Sequence, residues 1–302
     1  MDLQSQVDEY QKEVKEVSAP GGLDKRKDPS QWLPRAPPRH TLGGHKSPIT
    51  AVKLHPNFVT LATASEDATI KLWDFESGDF ERTLKSHTDS VNSIDFDPSG
   101  KYLASSSADM TIKMWDFNSG DFECLRTLHG HDHNVSCVKF ISTEILVSAS
   151  RDKTIKLWAT ESGHNTHTLK GHLDWVRRAI PSPCGKMIAS CSNDFSIKIW
   201  DLEKKEIKHD LREHEHVVED VCWANSTSNE FIIKASSIEE TKKQSGDSNG
   251  VVSRFVVSAC RDKTIKFWDI HTSSVIFTLI GHDNWVRGLA FHPQGRYRAL
   301  VW

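Results

Sequence analysis

Five times along the chain a His is followed by an Asp and, six residues after that Asp, by a Trp. The sets are His45/Asp67/Trp73, His87/Asp109/Trp115, His131/Asp152/Trp158, His172/Asp194/Trp200 and His214/Asp262/Trp268. A sixth His, His282 after Gly281, opens a further unit. Successive His residues lie 42, 44, 41, 42 and 68 positions apart, close to the roughly 40–45 residues of a four-stranded repeat. A unit of that size buries its faces only against its neighbours. The 302-residue chain is therefore read as an array of repeats rather than as one or two ordinary domains.

Each unit follows one plan: a short apolar stretch, Gly-His or its equivalent, a strand, a turn, a strand, a tight Asp turn, and a strand ending in Trp. Unit three shows it, with Leu128 to His131, a strand from Val135 to Phe140, another from Ile145 to Ser150, the turn Arg151-Asp152-Lys153, and Thr154 to Trp158. Alternation of apolar and polar residues in 154–158 and 69–73 has the strand period of two. Four strands per unit make one blade, so the fold class is all-β, a propeller of five complete blades and a partial sixth over residues 40–302. A polar insertion rich in Ser, Asn, Glu and Lys, about 224–250, lengthens unit five and belongs in a surface loop. Ahead of the blades, residues 1–17 place Leu3, Val7, Tyr10, Val14 and Val17 on a heptad seam, a short helix or coiled-coil stub. Residues 18–39 form a Pro-rich basic linker, which the prolines keep extended.

Four residues before each turn Asp lies a hydroxyl: Thr63, Ser105, Ser148, Ser190 and Ser258. The set resembles the WD-repeat pattern, in which the Trp N–H meets the hydroxyl, the hydroxyl meets His, and His meets Asp. A buried indole donor needs an acceptor, and a chain of mutually satisfied groups fixes strand register. His, Asp and Ser also compose hydrolase triads. A nucleophile site occurs once, in a cleft, whereas this set recurs five times at one spacing, so it reads as scaffold and no catalytic residue is assigned. His129, His131 and His133 have a spacing that invites a metal, but His131 already belongs to the scaffold, and neither metal nor cofactor is expected.

With a net charge of -3 and basic residues spread along the chain, no nucleic-acid footprint is visible. The six Cys form no CxxC pair, which suits reduced thiols in the cytosol rather than a disulfide framework. No apolar run approaches the ~18 residues of a membrane span.

If the repeat is scaffold, function lies where the repeats differ. The loop after each His and the turn before each Asp are expected at one end of the blades. The third residue after each His is Pro48, Ser90, Asn134, Trp175, Val217 and Trp285; the fifth is Thr50, Asn92, Ser136, Arg177, Glu219 and Arg287; the residue before each turn Asp is Glu66, Ala108, Arg151, Asn193 and Arg261. Blades three to six thus gather Arg151, Trp175, Arg177, Arg261, Trp285 and Arg287 as a candidate partner-binding face, rich in the two residue types most enriched at interface hot spots.

Longer strings narrow the resemblance. Residues 27–35 (KDPSQWLPR), 65–71 (SEDATIK), 78–84 (GDFERTL), 131–135 (HDHNV) and 281–288 (GHDNWVRG) are similar to the lissencephaly-1 / nuclear distribution protein F family. The similarity covers roughly residues 24 to 295. It implies a non-enzymatic regulator of cytoplasmic dynein in nuclear migration and in spindle and organelle positioning, found in the cytoplasm at microtubules, centrosome and spindle. The implied partners are the dynein heavy chain motor domain, the nuclear distribution protein E family and the catalytic subunits of platelet-activating-factor acetylhydrolase. Family binding positions match Arg151, Arg177, Arg261 and Trp285. A regulatory subunit of that acetylhydrolase, or a generic adaptor such as a ubiquitin-ligase substrate receptor, is the alternative reading. Two departures stand out. The family's homodimerising segment is reduced here to the coil stub, and its propeller has seven blades. Residues 298–302 leave the family pattern, so the ring is expected to be incomplete. The strand expected at residues 40–42, which closes the family ring, then lacks a partner, and the open edge favours association.

Overall fold

A computed structural model describes residues 37–117, 120–225, 229, 232, 254–291 and 300–301. The coil stub, nearly all of the linker and most of the polar insertion lie outside the described residues. Blade one is the sheet of β1 (Ile49–Leu54), β2 (Thr60–Ser65), β3 (Thr69–Asp74) and β4 (Phe80–Lys85). Blade two comprises β5 (Val91–Phe96), β6 (Tyr102–Ser107), β7 (Ile112–Asp116) and β8 (Cys124–Leu128). Blade three comprises β9 (Val135–Phe140), β10 (Ile145–Ser150), β11 (Thr154–Ala159) and β12 (Asn165–Lys170). Blade four comprises β13 (Val176–Pro181), β14 (Met187–Ser192), β15 (Ile197–Asp201) and β16 (Glu206–Leu211). Blade five comprises β17 (Val218–Trp223), β18 (Phe255–Cys260), β19 (Thr264–Asp269) and β20 (Ser274–Ile280). A two-stranded pair, β21 (Leu289–Ala290) with β22 (Leu300–Val301), begins a sixth. Every four-stranded sheet is an antiparallel meander in chain order, as short connections between sequential strands favour.

The blades are out of phase with the sequence units by one strand. The apolar stretch that opens unit three is β8, and β8 pairs with β7 of the blade before. The Trp-bearing strand turns tightly into it, so a hairpin forms ahead of the Gly-His crossover. These strands do not end on Trp, as the sequence plan has it. Each runs one residue past Trp73, Trp115, Trp158, Trp200 or Trp268, with a register shift just before the Trp in blade one between Leu72 and Trp73. His129 correspondingly lies beyond β8, not within a strand. Residues 40–42 form no strand, contrary to the expectation above.

First strands β1, β5, β9, β13 and β17 pack on one another in succession and so share an axis. The core sits between blades. Ile155, Leu157 and Leu169 of blade three meet Val176, Ala179 and Trp200 of blade four, and the same layering recurs between blades four and five. Each of Trp115, Trp158, Trp200 and Trp268 packs toward the preceding blade.

Trp73 corrects the expectation of five equivalent units. Among the described residues blade one has no blade before it, so Trp73 joins none of the interblade core clusters. Its ring is covered from within its own unit instead. Phe80 of β4 meets it edge to face at 5.4 Å, and Gly44 approaches so closely that a Cβ there would lie 3.3 Å from Trp73 Cη2. That local cover leaves Trp73 only 4% exposed. The rest of the matching face is open: Ile49, Val52 and Leu54 are 57–59% exposed, whereas Val91 and Ile94 at equivalent positions of β5 are buried.

The tetrads are formed in all five blades, that of His45, Thr63, Asp67 and Trp73 included. His Nδ1 meets the Asp carboxylate at 2.6–2.9 Å, and His Nε2 meets the hydroxyl at 2.7–2.9 Å. The indole N–H donates to that same hydroxyl at 2.8–2.9 Å. The other Asp oxygen accepts from the N–H and the hydroxyl two residues on, as Asp152 does from Thr154. Between them, Ala68, Met110, Lys153, Phe195 and Lys263 adopt the left-handed region, with φ of 63–70°. Burial alone would raise the carboxyl pKa values. Hydroxyl, backbone and His donors outweigh it, holding Asp67, Asp109, Asp152 and Asp194 well below the usual range and Asp262 at about 2.

Candidate functional site

Loop and turn meet at one end of every blade. The carbonyl of the third residue after each His accepts from the N–H of the residue before the turn Asp: Pro48 from Glu66, Ser90 from Ala108, Asn134 from Arg151, Trp175 from Asn193 and Val217 from Arg261, at 2.8–3.0 Å. The same two positions also meet across blades. The Arg151 guanidinium lies over the Trp175 ring, 4.5 Å from its centroid. Two repeats later, Arg261 lies over Trp285 at 4.2 Å, with Arg287 at 5.8 Å from the same ring. Such contacts contribute about 0.5–1 kcal/mol when exposed, and they orient each guanidinium plane.

The fifth-position residues owe their placement to bulges. Pairing steps from Val91 to Ser93 on β5, from Val135 to Cys137 on β9, from Val176 to Arg178 on β13 and from Val218 to Asp220 on β17. The skipped residues are Asn92, Ser136, Arg177 and Glu219; Thr50 is skipped likewise on β1. A bulge leaves one residue out of the ladder and re-aims it. Three of these residues stitch blades together: Thr50 donates to the Val91 carbonyl, Asn92 to Val135, and Ser136 to Val176. Arg177 instead pairs across the blades with Glu219 at 3.3 Å.

A cavity of about 180 Å³ results, lined by Arg151, Trp175, Arg177, Arg178, Glu219 and Arg287, with Asn92, Asn134, Ser136 and Val176 completing the wall. It brings together four of the six residues singled out from the sequence. Arg261 joins the cluster through Glu219, and the exposed Trp285 joins through Arg261. Two of the arginines are not free for a partner's acids, since Arg177 and Arg261 share Glu219. Burial lowers the Arg177 pKa, and Glu219 opposes the shift.

Sequence alternation also missed Arg178. The bulge lets consecutive residues 177 and 178 line one cavity, where a regular strand would turn them to opposite faces. Arg178 pairs with the buried Asp220 at 3.6 Å, whose charge raises the Arg178 pKa.

Each tetrad hydroxyl accepts an indole N–H and is buried, Thr63 at 5% exposed and Ser105, Ser148, Ser190 and Ser258 at 0%. His214, Cys260 and Asp262 place donor atoms within 4.8 Å of one another. Both His214 nitrogens are already engaged, and burial pushes the Cys260 thiol up to about 12. Cys260 stands where blades one to four have Ser65, Ser107, Ser150 and Ser192. Like them it accepts the N–H of the turn Asp, so the set fits the tetrad rather than a metal. His131 is likewise occupied on both nitrogens.

The family described as WD domain, G-beta repeat matches residues 36–74, 78–116, 122–159, 163–201, 242–269 and 273–301. The chain belongs to the WD-repeat family. Among WD-repeat proteins it is similar to the nuclear distribution protein PAC1 of Coccidioides posadasii, with 44% identity over 312 residues, covering 100% of this chain and 65% of that protein. The PAC1 proteins of Arthroderma otae and Arthroderma benhamiae are each 41% identical over 310 residues, covering 98% of this chain and 66% of theirs. The WD-repeat chain thus spans about 65% of the length of the curated relatives it matches.

Proposed function

We propose that this chain is a non-catalytic scaffold that regulates cytoplasmic dynein by docking on the motor domain through the Arg/Trp end of its blades. The observation that carries this reading is the pair of Arg–Trp stacks, Arg151 on Trp175 and Arg261 on Trp285, flanking one cationic basin. Similarity to nuclear distribution proteins supports this reading. Trp offers a large apolar anchor already held by its cation, so little ordering remains on binding. Arg151 and Arg287 meet acidic side chains of the partner, while Glu219 keeps Arg177 and Arg261 in place. Preference for one conformation of the motor shifts its population, which is how a partner without chemistry regulates an engine.

Nuclear distribution protein E relatives and acetylhydrolase catalytic subunits are the further partners of this reading, and the cytoplasm at microtubules, centrosome and spindle is its location. The test is a pull-down of the motor domain with Arg261→Ala and Trp285→Ala. A hot-spot loss of about 2 kcal/mol or more weakens binding at least roughly thirtyfold, with circular dichroism unchanged. Undiminished capture by both variants overturns the assigned face.

A further inference from the structure

Charge in the basin is unbalanced. Arg151, Arg177, Arg178 and Arg287 line it beside Glu219, and Arg261 reaches that same Glu219. Asp220 pairs with Arg178. Five guanidiniums therefore face two carboxylates. Among the described residues no carboxylate pairs with Arg151 or Arg287.

We propose that this basin binds a phosphate dianion, free or at the end of a monoester. The donors come from three directions: Arg151 from the turn between β10 and β11, Arg177 and Arg178 from the bulge of β13, and Arg287 from the segment before β21. A carboxylate is planar and is satisfied by one bidentate guanidinium. A tetrahedral phosphate presents oxygens on several sides and takes guanidiniums from several elements at once. The space agrees, because about 180 Å³ is well below the roughly 300–1,000 Å³ of a site for a drug-sized ligand. It suits a phosphate group and not a nucleotide. Trp175 beneath Arg151 and Asn193 Oδ1, which accepts from Arg177 Nε at 2.7 Å, hold two of the guanidiniums before any ion arrives.

The site goes beyond the docking reading and does not depend on which partner docks. It makes phosphate a competitor for Arg151 and Arg287 on the docking face.

The experiment is isothermal titration of the full chain with inorganic phosphate, ionic strength being held constant with acetate, and a parallel arm with O-phosphoserine. Phosphate should give a saturable one-site isotherm. Affinity should fall at least tenfold in Arg151→Gln/Arg287→Gln and rise severalfold in Glu219→Gln, which releases Arg177 and Arg261. O-phosphoserine following the same variant pattern assigns a monoester; silence of that arm assigns the free ion. Absence of a saturable phosphate isotherm, equal affinity in the double variant, or unchanged or weaker binding in Glu219→Gln overturns the site. Should the double variant fail to fold, Glu219→Gln decides alone. Surface exclusion of phosphate acts on all variants alike and cannot mimic this pattern. Motor-domain pull-down is a separate readout, so a failed phosphate site and a failed docking face are told apart.

Discussion

His55 of blade one donates its Nε2–H to the Gly100 carbonyl of blade two, 2.8 Å away. Its Nδ1 accepts the N–H groups of Asn57 and Phe58, which leaves Nε2 as the donor. Gly100 has φ +79°, and a Cβ there would lie 2.5 Å from His55 Cε1. Gly100→Ala therefore strains the backbone by about 1–2 kcal/mol and displaces the ring as well. A lowered urea midpoint is the expected result. The contact lies at the opposite end of the blades from the Arg/Trp face, so the proposed motor-domain binding should be retained by the folded variant.

Two buried serines, one inside a tetrad and one beside a tetrad, give opposite outcomes. Ser148→Ala leaves the Trp158 N–H and His131 Nε2 without their shared partner, at about 1–3 kcal/mol for each buried group. Ser106, beside the tetrad hydroxyl of Ser105, is buried with an unpartnered Oγ. Ser106→Ala should be neutral or stabilising. Equal melting losses in the two variants would contradict the network's role.

Asp95 bridges three blades. Lys139 donates to it at 2.9 Å, Lys53 approaches at 3.3 Å, and the Phe140 N–H adds a third contact. Burial opposes its charge, but the two lysines hold its pKa below the usual range. Asp95→Asn strands the Lys139 ammonium, whose side chain is 12% exposed, so the loss approaches the roughly 3–5 kcal/mol of a fully buried pair. Adding Lys139→Met should recover much of it, as denaturant titration of the two variants can show.

Stability should fall in two stages on acidification. Burial lowers the pKa values of His172 and His214, with Asp194 and Asp262 opposing. Between the depressed folded value and the unfolded value of about 6.5, the unfolded chain binds more protons, so stability declines as pH drops through that window. The turn carboxylates, depressed in the fold, begin to cost stability below about 3.9 and lose their contribution as pH falls through the folded values. Thermal melts from pH 8 to pH 3 should show both stages, and His172→Gln should diminish the first.

The blades were legible in the sequence because each tetrad needs its four residue types at fixed spacing. Trp158, Ser148, His131 and Asp152 cannot satisfy one another in another register. The phase of the blades was hidden, since a repeat carries no mark of whether Leu128 pairs forward or back. Turn chemistry and hairpin closure settle that in three dimensions. Trp73 was hidden in the same way, because its spacing matches the other four while its packing depends on what lies beside the blade. The basin was half legible: Arg151, Trp175, Arg177 and Arg287 stood out as irregularities in a regular array. Glu219 stood in the same series without revealing that it holds two arginines, and Arg178 fell on the wrong face of an ideal strand. Both failures have one physical source, a bulge that interrupts the period of two.

That bulge sets the side chains of the proposed docking face apart from those of the packed ladder. At Arg177 and Glu219 the chain steps out of the ladder, so a side chain exchanged there leaves the packed face in place, whereas Asn92 and Ser136 spend the same position on joining blades. On β13 and β17 the scaffold and the proposed specificity occupy different addresses within the same short strand. A relative could acquire a new binding preference by changing single letters at those addresses, keeping every Trp, His and Asp of the frame.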